Sequence, residues 1–110
     1  MNEFSPQQNI QLNLEIVEQG VWFVFHHPTG GPGDRVRVLQ SWSSVRTLVF
    51  RLRTGQRYCA RDVPLLVWKE GEELHIKYHI PDDMRVEECV FSCEETEGIL
   101  AMLERLPGWN

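Results

Sequence analysis

The hydrophobic positions of the chain fall first into alternating runs. Ile10, Leu12, Leu14 and Ile16 alternate with Gln11, Asn13, Glu15 and Val17, the period of two of a half-buried strand. Glu18–Gly20 reads as a turn, and VWFVF after it is apolar on both faces, as suits a strand nearer the middle of a sheet. These two runs predict a hairpin. HPTGGPGD, residues 27–34, is dense in glycine and proline and predicts a loop. VPLLVW (63–68) and LHIKYHI (74–80) predict a second hairpin around Gly71, and Pro81-Asp82-Asp83 a turn. MRVEECVF (84–91) reads as a further strand.

The segment 35–53 has two readings. As strands, Val36 and Val38 share a face, and Leu48, Phe50 and Leu52 share another with Arg51 and Arg53 opposite. As a helix, Val38, Trp42, Val45, Val49 and Leu52 recur at helical spacing, but that stripe omits Leu48 and Phe50 and uses many β-branched residues. Two strands joined by SWSS are the expectation, with Phe50 in the core. The chain closes in a helix over 94–106. Ser92 with Glu95 has the form of a capping box, and Ile99, Met102, Leu103 and Leu106 lie on one face before Pro107.

These elements predict an α+β fold: a single antiparallel β-sheet of six to seven strands with a C-terminal α-helix packed on one face. The 110 residues form one domain by length, with 1–8 a loose N-terminal arm. No internal repeat or low-complexity tract is evident.

Composition narrows the class. Hydrophobic content of 42% and charged content of 25% are those of a globular protein. The polar start MNEFSPQQN has neither part of a signal peptide, and no apolar run approaches the ~20 residues that span a bilayer. Cys59, Cys89 and Cys93 are too few and uneven for a disulfide framework. A cytoplasmic protein without a membrane partner is expected.

Charge is divided by segment. Residues 1–34 carry −4, residues 35–61 carry +7 and residues 62–110 carry −8, within a net charge of −5. Blocks of this kind arise from docking surfaces or from strands paired by sign.

Candidate chemistry is sparse. TGGPGD lacks the Gly-Lys-Ser/Thr step of a phosphate loop and puts Asp34 where phosphate would sit. His75 and His79 share a strand face but lie ~13 Å apart, too far for one zinc. Cys89 and Cys93 have no second pair. Ser41, Ser43 and Ser44 form no nucleophile elbow, and Asp82-Asp83 and Glu87-Glu88 point to opposite faces as strand neighbours. Cys59, between Arg57 and Arg61, is expected to be the most reactive thiol if exposed. The sequence therefore points to no catalytic residue, no metal and no cofactor.

The arginine segment carries most of the content. Its arginines are expected to pair with glutamates on neighbouring strands, Arg51 and Arg53 facing 70–73 or 87–88, or else to form a surface for a protein or a nucleic acid. The candidate partner-binding residues are Trp42, Arg51, Arg53, Arg57 and Arg61. The first expectation for function is a small acidic protein-binding module, of the inhibitor or immunity type, that neutralises a basic protein partner. A nucleic-acid or phosphate-ligand module using the central arginines is the alternative, and a small enzyme comes third.

Overall fold

The computed structural model describes residues 3–4, 10–27, 35–60, 65–80 and 85–105. It is α+β, and it has two sheets rather than the expected one. Strands β1 (Glu3–Phe4), β2 (Gln11–Val17), β3 (Gly20–His26) and β4 (Arg35–Ser41) form one antiparallel sheet in chain order. Strands β5 (Tyr58–Cys59), β6 (Leu65–Glu70), β7 (Glu73–Ile80) and β8 (Arg85–Phe91) form a second in the same way. Helix α1 (Trp42–Arg53) follows the first sheet and helix α2 (Cys93–Glu104) the second. The loop at 28–34, the Pro81–Asp83 turn and Arg61 lie outside the described residues.

Both predicted hairpins are present. In β2–β3, Leu12 faces Phe25 and Leu14 faces Phe23, so the alternation drives one face of the ribbon into the core. Gly20 opens β3 at φ +156°, and a Cβ there would lie 2.0 Å from the Gln40 carbonyl oxygen of β4. Only glycine allows that approach. In β6–β7 the turn runs through Gly71 at φ +61°, between Glu70 and its partner Glu73.

The segment after β4 is the main correction. Residues 42–53 form a helix, not a strand. Ser41 caps it, its Oγ accepting the Ser44 N–H, and Val45, Leu48, Val49 and Leu52 form the buried stripe. Leu48 belongs to that stripe once the helix is counted from Trp42 rather than from Val38, which is in β4. Only Phe50 is left out, and it is exposed instead of buried. The β-branched residues are tolerated because the buried face gains more from packing than propensity loses.

The two halves repeat one plan that no sequence similarity announces. Each is β-β-β-β-α with the same strand order and matching register: Leu12–Phe25–Val36 in the first corresponds to Leu65–Tyr78–Glu87 in the second. Counted from the capping serines Ser41 and Ser92, the buried helix positions coincide: Val45, Leu48, Val49 and Leu52 against Thr96, Ile99, Leu100 and Leu103. Residues at equivalent places touch each other. Phe25 stacks on Tyr78 with ring centroids 3.9 Å apart, and Arg53 pairs with Glu104 at 2.8 Å. Such contacts are what an approximate twofold relation between the halves produces. Both sheets and both helices contribute to one continuous core.

Candidate functional site

The arginines of the central segment divide into those used within the fold and those left outward. Arg53, at the end of α1, donates to Glu97 at 2.9 Å and to Glu104 at 2.8 Å, so its partners come from α2 and not from 70–73 or 87–88. The hydrogen bond to Glu104 is the first cause that raises its pKa, with Glu97 adding to it. Arg37 on β4 lies over the Trp22 ring at 4.7 Å and reaches Glu15 at 3.5 Å. Trp42 is structural as well: it packs against the core, and its indole N–H donates to the Glu18 carbonyl at 2.8 Å, tying the start of α1 to the β2–β3 turn.

Arg51 and Arg57 have a different setting. They line a groove of about 760 Å³ between α1 and the start of the second sheet. The helix supplies Ser43, Ser44, Thr47 and Arg51, and the facing wall supplies Arg57, Tyr58, Cys59 and Leu66. Among the described residues neither arginine meets a carboxylate. The one hydrogen bond between them is long, from Arg51 Nη1 to the Arg57 carbonyl at 3.4 Å.

Most of the groove's hydroxyls are already engaged. Thr47 donates to the Ser43 carbonyl at 3.0 Å, and the Ser43 and Ser44 hydroxyls lie 3.2 and 3.1 Å from Ser41 Oγ. The Tyr58 hydroxyl donates to the Gln40 side chain, and burial raises its pKa. Among the described residues the two guanidiniums are therefore the groove's main uncommitted donors, with five N–H groups each. No histidine and no carboxylate among the described residues lines the groove. Cys59 is exposed within it and has only the Ala60 carbonyl as a contact, at 3.9 Å, so no described base stands ready to activate the thiol. Cys59 and Leu66 also border a smaller apolar depression of about 220 Å³ that continues over Lys77, His79 and Val86.

A second polar cluster, missed in the sequence, lies on the outer face of the second sheet. His75 is only 9% exposed. Its ring stacks on Trp68 at 5.0 Å, its Nδ1 is 3.0 Å from Glu88, and its Nε2 is 3.7 Å from Glu70 with no hydrogen-bond partner. The glutamates sit at opposite ring nitrogens and cannot converge on one ion. Among the described residues no group of three ligating side chains could hold a metal. The signal was the register: Trp68 lies opposite His75 once the β6–β7 turn is placed at Gly71.

Comparisons with protein-family models, with curated proteins and with solved structures give no match. No helix among the described residues is long and apolar enough to cross a membrane.

Proposed function

We propose that the chain is a protein-binding module of the cytoplasm that docks through the outer face of α1 and the groove beside it. The observation that carries this reading is Phe50. It is 64% exposed on a helix whose Val45, Leu48, Val49 and Leu52 are all buried, and it stands among arginines. Aromatic and arginine side chains on a rigid element are the types that dominate binding hot spots. The helix contains no acidic residue, and among the described residues Arg51 and Arg57 meet no carboxylate, so the complementary partner presents acidic residues around an apolar pocket.

That partner differs in sign from the basic one suggested by net charge. Glu15, Glu97 and Glu104 each pair with an arginine within the chain, which leaves fewer acids for a basic protein. Covering a partner's functional surface needs no catalytic group, and among the described residues the groove presents none.

The test is affinity capture with the intact protein and with Phe50→Ser and Arg51→Glu variants, followed by binding measurements on the purified partner. An acidic partner should bind the wild type and lose at least tenfold in affinity with either variant. Arg35→Gln, on β4 and away from α1, should change binding less than twofold. Equal binding by all four proteins would overturn the reading. So would a nucleic-acid mobility shift that disappears with Arg51→Glu.

A further inference from the structure

We propose that the groove between α1 and β5 seats a phosphomonoester carried by the docking partner. The carrier rests on the reading above, whereas the bound chemistry rests on the groove itself.

Three properties select this class of ligand. First, Arg51 and Arg57, which meet no carboxylate among the described residues, place two positive charges on facing walls of one cavity. A phosphomonoester near neutral pH is close to a dianion with three acceptor oxygens, whereas a carboxylate offers half the charge and two oxygens. Planar guanidiniums donate in pairs to such oxygens. Second, the long bond from Arg51 to the Arg57 carbonyl is readily exchanged for a charged acceptor. Third, a groove of about 760 Å³ is far larger than a bare phosphate and falls in the range of pockets that hold drug-sized ligands. Leu66 and Cys59 lead from it to the apolar depression, where an aromatic or aliphatic ester group can lie.

The proposal is tested on the intact protein by calorimetry and by NMR titration of the arginine Nε–H signals. The probes are phenyl phosphate, inorganic phosphate, benzoate and a phosphotyrosine peptide with its unphosphorylated form. Phenyl phosphate should bind saturably and shift the signals of Arg51 and Arg57. Arg51→Gln and Arg57→Gln should each weaken it at least tenfold, and Arg35→Gln less than twofold. Affinity should rise between pH 5 and pH 7.5 as the ester takes its second charge, which ionises near pH 6. The phosphorylated peptide should bind at least as tightly as phenyl phosphate, and the unphosphorylated one at least tenfold more weakly.

Absence of saturable phenyl phosphate binding would overturn the proposal, as would equal affinity for benzoate or indifference to both arginine variants. Inorganic phosphate binding as tightly as the ester would overturn the ester assignment. Phe50→Ser distinguishes the two readings. It should leave phenyl phosphate affinity within twofold while abolishing protein binding. A partner that ignores Phe50 defeats the docking surface alone, and a groove that ignores phenyl phosphate defeats the ligand alone.

Discussion

Cys89 sits far from the environment its type has in water. Its thiol is fully buried beside the Tyr78 hydroxyl, with Sγ and O 4.0 Å apart, and burial pushes its pKa from 9.0 up to about 12. Burial likewise raises Tyr78 above the ordinary tyrosine range. Both groups hold their protons in the folded state at a pH where the unfolded chain has released them. Their contribution is intact below about pH 9, and stability falls as pH rises from about 9 toward 12. Chemical denaturation at stepped pH should show this slope, and Cys89→Ala should flatten it while lowering stability at neutral pH. Maleimide labelling followed by mass spectrometry should modify the exposed Cys59 and Cys93 in the native protein, and Cys89 only after unfolding. The relative rates at Cys59 and Cys93 decide whether the arginines near Cys59 accelerate it. The burial of Cys89 was only half legible. Its strand alternates Cys89 and Phe91 with Val86, Glu88 and Val90, so hydrophobicity alone does not say which face is inside.

At the scale of elements, the hairpins and α2 could be read from sequence because their signals are local. Alternation sets the β2–β3 and β6–β7 ribbons, and Ser92 marks the start of α2, where its Oγ accepts the Glu95 N–H at 3.2 Å. Helix α1 was not legible in the same way. Its stripe is mixed with β-branched residues, Phe50 mimics a core position, and β4 runs into it without an intervening turn, so the period changes from two to 3.6 at Ser41. The candidate site was obscured for the same reason: which arginines face outward depends on a helical period that was read as a strand's. The cap is the feature that separates the two readings. Ser41→Ala should lower stability by about 1 kcal/mol, and Ser92→Ala by a similar amount, in urea unfolding. Gly20→Ala should cost more, about 1–3 kcal/mol, because the new methyl meets the Gln40 carbonyl in a backbone conformation that disfavours it. Equal effects at all three positions would contradict the close β3–β4 approach.

The whole molecule is two copies of one plan, and this was invisible because the core positions of the two halves share burial but not residue type. Val38 answers to Cys89, Gln40 to Phe91 and Val45 to Thr96. Charge goes further and inverts: Arg37 answers to Glu88, Arg46 to Glu97 and Arg53 to Glu104. At the helix ends this inversion turns a contact between equivalents into an ion pair rather than a repulsion. This ion pair favours contact between unlike halves over contact between like ones. A gene divided at Gly55 should give two polypeptides that co-purify in a one-to-one complex. Neither should form a dimer of its own kind, since Arg53 would then meet Arg53 and Glu104 would meet Glu104. Analytical ultracentrifugation of the separate and mixed fragments reads this directly. Homodimers of either fragment, or failure of the mixture to assemble, would show that the inverted charges do not govern pairing. Where the mixture does assemble, the protein becomes an obligate two-component switch, silent until both fragments are present in one compartment.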